Sequence, residues 1–174
     1  MEKHPSGIKP ESWLVSAGRA SEPGAPLNVP LVPASNFIIG SGRSYSRDDA
    51  TPTWEALEEV VGGLEAGRAV AFASGMAAIA AVFDPLPAGA VVALPDDCYQ
   101  GVAGLVAAGA ERGRWSVQRL AVEDTAGWIR ACGSADLVWL ESPSNPLLTV
   151  ADLAAICAAP RKPFPRCSAP SPSS

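Results

Sequence analysis

The sequence predicts an α/β fold in which a mostly parallel sheet is covered by helices and preceded by an extended N-terminal arm. Two patterns carry that expectation. Beyond residue 68, short apolar runs alternate with helical stretches, and the runs start at Ala69, Ala90, Ser116 and Leu137, spaced 21, 26 and 21 residues apart. Repeated βα units imply parallel strands joined by helical crossovers, and strands apolar on both faces suit a sheet covered on both sides. Before them, residues 1–50 are rich in Pro and Gly and show neither the helical nor the strand period, which marks an arm that packs on something else.

Each element has its own cue. Pro52 suits a first helical position, and Leu57, Val60, Val61 and Leu64 then recur at helical spacing until Gly67. Ala69 to Phe72, Ala90 to Leu94, Ser116 to Leu120 and Leu137 to Glu141 are the strand candidates. Gly75 to Phe83, Gln100 to Ala108 and Thr125 to Ala131 are the helices between them. A last helix opens with Thr149 as N-cap and Asp152 three residues on, and runs through Leu153 and Ile156. The predicted organisation is therefore an arm over residues 1–50, an α/β domain over 51–159 and a tail over 160–174. That tail holds five of the seventeen prolines plus four serines, a composition of disordered chain that cannot supply the next buried strand. The sheet is expected to be unfinished, its edge covered by a partner or left open by an incomplete chain.

Composition narrows the function. A chain of 174 residues with 48% hydrophobic and 18% charged residues reads as soluble and globular, large enough for one full domain. Thirteen basic against eighteen acidic side chains give a formal charge of −5 with no Lys/Arg cluster, so nucleic acid is not an expected partner. No stretch of about 20 apolar residues occurs, so no membrane partner is expected and a cytoplasmic location is. Cys98, Cys132, Cys157 and Cys167 form no CxxC pair, which leaves neither a metal spacing nor a disulfide framework and predicts reduced, mostly buried thiols. The single histidine, His4, lies near the terminus and offers no base for a nucleophilic triad.

Four segments carry chemical content. Phe72-Ala73-Ser74-Gly75-Met76 runs from a strand through small residues into a helix, where free N–H groups favour a phosphate, although such a turn also serves simple tight packing. Tyr45-Ser46-Arg47 offers a guanidinium fork and a hydroxyl, or merely a solvated loop. Tyr99 follows a strand's C-terminal end, where a ring can stack on a flat cofactor or lie half-buried as an ordinary Tyr. Glu141-Ser142-Pro143-Ser144-Asn145-Pro146 is a polar, proline-stiffened loop after another strand, either a rigid turn or a set of oriented site residues. Gly40-Ser41-Gly42 does not continue as GxGxxG and no GxxxxGK[ST] loop exists, which demotes a small nucleotide-binding domain to an alternative.

Taken together, YSRDDATPTWEALE, AFASGMAAIAAV, the Asp-Asp-Cys-Tyr stretch at 96–99 and VWLESPSNPLLTVADLAAI resemble the Cys/Met metabolism family of pyridoxal 5'-phosphate (PLP) enzymes, of the cystathionine γ-synthase and γ-lyase type, over roughly residues 25–158. The resemblance implies the first part of a fold type I PLP-dependent transferase large domain. It also implies a homo-oligomer, usually a dimer of dimers, acting on a small amino-acid substrate by β- or γ-elimination or γ-replacement. Carried over by position, Gly75 and Met76 would donate to the PLP phosphate with Ser74 beside them. Tyr99 would stack on the ring and assist catalysis, and Asn145 would approach the phenolic oxygen on a loop supported by Glu141. Tyr45 and Arg47 would reach a neighbouring subunit's phosphate.

Two departures qualify the resemblance. The family's Tyr-Gly-Gly-Thr reads Tyr99-Gln100-Gly101-Val102, and Gly101 stands where methionine γ-lyases carry a reactive cysteine, which disfavours that subfamily. The family's pyridine-pairing aspartate and Schiff-base lysine have no counterpart, since Lys3, Lys9 and Lys162 lie in no matching context. This predicts an inactive, truncated or frame-shifted chain, or a non-catalytic piece that pairs with full-length subunits.

Overall fold

The structure, a computed structural model, describes residues 7–40 and 42–163, so that Lys3, His4, Cys167 and most of the Pro/Ser-rich tail lie outside the described residues. The chain divides into two compact units, one up to Ala73 and one from Ser74.

The first unit is built on helices. α1 (Pro10–Ser16) and α2 (Ser46–Asp49) are short, and α3 (Pro52–Leu64) is the longest. Thr51 caps α3, its side chain accepting the Trp54 N–H at 3.4 Å, and Pro52 fills the first turn as its fixed φ favours. α1 departs from the expectation of an extended arm. Seven residues are too few to show a period, and a helix that short needs tertiary support, here the Trp13 Nε1–H donated to the Val60 carbonyl of α3 at 3.1 Å. Ala69 to Phe72 form no strand, a second correction: no strand of the described residues pairs with them, Val70 and Phe72 stay exposed, and the Ala71 N–H goes to Glu58 Oε1 at 2.7 Å.

The second unit is a three-layer α/β/α arrangement. α4 (Gly75–Phe83) leads to β1 (Ala90–Pro95), α5 (Gln100–Glu111), β2 (Trp115–Leu120), α6 (Thr125–Ser134), β3 (Leu137–Val138) and α7 (Leu153–Ala158). The strands are parallel in the order β2-β1-β3, with Val92 opposite both Val117 and Leu137. β1 alternates between two cores as a period of two requires. Val92 and Leu94 join Phe83, Val102, Val106 and Trp115 on one side, and Ala93 joins Trp128, Ala131 and Ile156 on the other. Gly109 has no side chain for a physical reason: a Cβ there would lie 2.0 Å from the Trp115 ring, whose Nε1–H reaches the Val106 carbonyl at 2.9 Å.

Several boundaries move. α5 and α6 run three residues past their predicted ends, to Glu111 and Ser134. β3 is shorter than expected, although the Trp139 N–H still reaches the Ala93 carbonyl at 2.9 Å. Asp152, not Thr149, caps the last helix, its carboxylate accepting the Ala155 N–H at 3.0 Å. Cys98 and Cys132 are buried as expected, but Cys157 is exposed. No helix among the described residues is long and apolar enough to cross a membrane.

β3 lies at the edge of this sheet beside a groove of about 440 Å³ lined by Leu137, Val138, Leu140, Leu153 and Ile156. At its rim the Lys162 ammonium pairs with Asp136 Oδ1 at 2.6 Å, while the Lys162 N–H reaches the Cys132 carbonyl at 2.8 Å. The ammonium, together with the Val91 N–H on the other oxygen, holds the Asp136 carboxyl below its ordinary pKa. A depressed carboxyl pKa gives stability that is present above the unfolded-state value and lost as the pH falls through the folded one. Lys162→Met should therefore destabilise the second unit near neutral pH by about 0.5–1 kcal/mol, the range for a pair still in contact with water. Urea melts should show that difference shrinking as the pH drops below the ordinary Asp range.

Candidate functional site

The strand order places a topological switch point at the C-terminal ends of β1 and β3. α5 follows β1 onto one face of the sheet and α7 follows β3 onto the other, and open α/β sheets bind ligands where successive connections diverge in this way. Tyr99 follows β1, and the loop from Glu141 to Pro146 follows β3.

Ser74, Gly75 and Met76 form the start of α4. The Ser74 hydroxyl accepts the Ala77 N–H at 3.1 Å and its carbonyl the Ala78 N–H at 3.1 Å, so this side chain is a helix cap. The Gly75 and Met76 N–H groups take no partner among the described residues, and a Cβ on Gly75 would meet nothing within 4 Å. Two free donors at a helix start facing open space suit an anionic oxygen.

Gly101 brings that helix start and Tyr99 together. A Cβ on Gly101 would lie 2.5 Å from the Tyr99 ring and 2.6 Å from Met76 Sδ, so both side chains converge on the space the glycine leaves. Tyr99 is 42% exposed, and an aromatic side chain with open surface can stack on a planar partner.

Two carboxylates then tie the β1–α5 turn to the loop after β3. Glu141 Oε2 accepts the Tyr99 N–H at 2.9 Å and its Oε1 accepts the Trp139 Nε1–H at 3.0 Å, while the Trp139 ring packs on Phe83 at 5.3 Å between centroids. Asp97 Oδ2 accepts both the Ser144 hydroxyl and, at 3.2 Å, the Leu147 N–H. Ser144 is 1% exposed, and its Oγ in turn accepts the Thr149 N–H at 3.0 Å. Asn145 is exposed between these anchored residues, and its side chain forms no hydrogen bond among the described residues. The Ser142–Pro143 and Asn145–Pro146 peptide bonds are both cis.

Of the residues singled out from sequence, Tyr99 and Glu141 are joined by a hydrogen bond, Met76 and Tyr99 both border the space over Gly101, and the loop carrying Asn145 is tied to the Tyr99 turn through Ser144 and Asp97. Tyr45 and Arg47 belong to the first unit, where the guanidinium lies 4.8 Å above the Tyr45 ring and the Tyr45 N–H reaches Asp49 Oδ2 at 3.1 Å. Sequence reasoning missed Asp97 and Ser144 as a pair. Their bond spans 47 positions, so its only sequence cue was that both stand in polar segments following strands. Burial pushes the Cys98 thiol up from its ordinary pKa, and the nearby Glu141 carboxylate adds to the effect, so Cys98 is no thiolate nucleophile.

The chain matches the family model of the Cys/Met metabolism PLP-dependent enzymes over residues 24–164, and it belongs to that family. It is similar to cystathionine gamma-synthase of Mycobacterium tuberculosis, 36% identical over 160 residues that cover 84% of this chain and 40% of the relative. Among solved structures it resembles cystathionine gamma synthase from Xanthomonas oryzae pv. oryzae in complex with cystathionine, with a TM-score of 0.75 and 31% identity over 86% of this chain and 41% of that one. Cystathionine gamma-lyase from Lactobacillus plantarum, complexed with L-serine, gives a TM-score of 0.73 and 34% identity over 86% of this chain and 41% of that one. The chain thus spans about 40% of the length of these relatives, and the sheet, helices and loops described above fit a partial fold type I domain.

Two outcomes test this geometry. Gly101→Ala gains up to about 1 kcal/mol of helix propensity but must displace the Tyr99 ring or Met76, an overpacking cost of about 1–3 kcal/mol. Its melting temperature should therefore fall, by several degrees where the overpacking cost outweighs the propensity gain, while the near-UV circular dichroism of Tyr99 changes. Alkylation of the native chain at neutral pH should modify Cys157 and spare Cys98 and Cys132, as read by peptide mass mapping.

Proposed function

We propose that this chain carries the phosphate- and ring-binding part of a PLP site of the transsulfuration type, and that the whole protein acts by β- or γ-elimination or γ-replacement on sulfur amino acids or activated homoserine. One observation carries the reading: two free N–H donors at the start of α4 and the exposed Tyr99 ring are brought to one place by the space over Gly101.

The donor set fits the cofactor's chemistry. Gly75 and Met76 would bind phosphate oxygens, helped by the positive end of α4, with Ser74 holding the turn in shape. Tyr99 would cover one face of the pyridine ring and exclude water from it, and its hydroxyl could move a proton at the substrate. Asn145 would donate to the phenolic oxygen, and Glu141 would fix the backbone from which Tyr99 projects. When bound, PLP supplies an electron sink for carbanion chemistry at the amino-acid substrate.

Tyr45 and Arg47 are proposed to serve a neighbouring subunit's phosphate in a homo-oligomer. What supports an assembly is the first unit's apolar surface, with Leu31, Ile38 and Ile39 each more than 80% exposed. Lys162, the one described lysine in the second unit, is engaged with Asp136. No lysine of the described second unit is thus left free to serve as the amine, and we propose that these residues bind PLP reversibly without turning substrate over.

The test is a PLP titration followed by quenching of the tryptophans. Saturable binding that inorganic phosphate competes away, and that Tyr99→Ala weakens by about 2- to 10-fold, the range for one aromatic stacking contact, is the expected result. Quenching indifferent to both phosphate and Tyr99→Ala would count against the site.

A further inference from the structure

Beyond the residues assigned above, we infer that Asp97 is a positioning residue, which locks the Asn145 loop to the Tyr99 turn and so sets the spacing between the ring and the amide of the proposed site. The inference rests on the reading of Tyr99 and Asn145 as cofactor contacts.

The geometry is specific. Asp97 follows β1 by two residues and Ser144 lies beyond β3, so the bond between them spans the C-terminal ends of adjacent strands. One carboxylate oxygen, Oδ2, takes two donors from the opposite loop, the Ser144 hydroxyl and the Leu147 N–H. These flank Asn145 in the chain on either side. Ser144 passes the constraint on, since its Oγ accepts the Thr149 N–H while its own N–H reaches the Thr149 carbonyl at 2.8 Å. A hydroxyl donated to a carboxylate is among the stronger hydrogen bonds, and burial of Ser144 removes water as a competing partner.

Glu141 makes a separate tie to the same turn through the Tyr99 N–H. The Glu141 bond holds the root of the loop, and the Asp97 bond holds its tip. Without Asp97 the tip keeps only bonds internal to its own loop, and the distance from Asn145 to the Tyr99 ring is no longer fixed. Among the described residues Asp97 makes no hydrogen bond to Gly75, Met76 or the Tyr99 and Asn145 side chains, so its effect on a ligand must pass through this loop.

Asp97→Ala and Asp97→Asn in the full chain test the inference by two readouts. The first needs no ligand: amide hydrogen exchange at Leu147 and Thr149, with the Asn145 side-chain amide resonances as reporter. Asp97→Ala should speed exchange at both amides by at least about 10-fold, one to two lost hydrogen bonds' worth, and should shift the Asn145 signals. Asp97→Asn keeps an acceptor for Leu147 and should restore most of the protection there. The second readout is PLP affinity, expected to fall in Asp97→Ala and recover in Asp97→Asn, measured at a temperature where both variants are folded. Unaltered exchange and Asn145 signals in a folded Asp97→Ala would overturn the inference. Altered exchange with unaltered PLP affinity would overturn it as well. If the wild-type chain binds no PLP, the cofactor reading fails, and Asp97 is then judged on exchange and the Asn145 signals alone. Should Asp97→Ala not fold, Ser144→Ala removes the same bond from the other side and is read in the same way.

Discussion

The parallel pairing of β1 on both of its edges is the constraint on which the second unit depends. Val92, Ala93 and Leu94 are fully buried, and their side chains feed two cores at once, one under α4 and α5 and the other under α6 and α7. Fully burying one such aliphatic side chain is worth about 1.5–3 kcal/mol, and a strand buried on both faces cannot slip by one residue without exchanging its two sets of contacts. That fixed register determines where the chain leaves the sheet after Pro95. Asp97, Cys98 and Tyr99 therefore occupy set positions over the C-terminal edge before any of their own polar contacts is considered.

At that edge the acidic groups are committed to holding backbone. Glu141 spends both oxygens on the Tyr99 N–H and the Trp139 indole, and Asp97 accepts a hydroxyl and an N–H from the loop opposite. Neither is arranged as a general acid or base. The groups left without partners are of a different kind: two N–H donors at a helix start, one exposed ring and one side-chain amide. A site whose carboxylates are internal struts and whose free groups are neutral donors and a π-face suits a flat, anionic ligand better than a cationic one. The absence of a Gly101 side chain is what lets the ring approach the helix start, which explains how a glycine two residues after Tyr99 can matter without touching any ligand.

Much of this was legible in the sequence, and the exceptions share a cause. The βα alternation, the start of α3 at Pro52 and the bounds of α4 rest on local chemistry and were read from the residues themselves. The stretch Ala69 to Phe72 looks like a strand by composition, yet a strand exists only where another strand pairs with it, and pairing is not a local property. α1 was missed because Trp13 is stabilised by a partner 47 residues away, and the Asp97–Ser144 bond was missed across the same interval. Family resemblance pointed to Tyr99, Glu141 and Asn145 individually. It did not show that two carboxylate bridges join the loops that carry them.

Those bridges also bear on the weakest element of the sheet. β3 is only two residues long and, among the described residues, pairs with β1 alone, with a groove on its other side. An edge strand so short gains little from its own ladder, and the Asp136–Lys162 pair at its start is a surface-type interaction of modest strength. Bonds from Glu141 and Asp97 pull the segment after β3 against the end of β1, the most buried strand, so they stabilise β3 from its far end. The coupling runs in both directions: β3 must be paired for Glu141 and Ser144 to reach their partners, and those partners must hold for β3 to stay paired. Order at the candidate site and order at the edge of the sheet are thus one cooperative property of this unit.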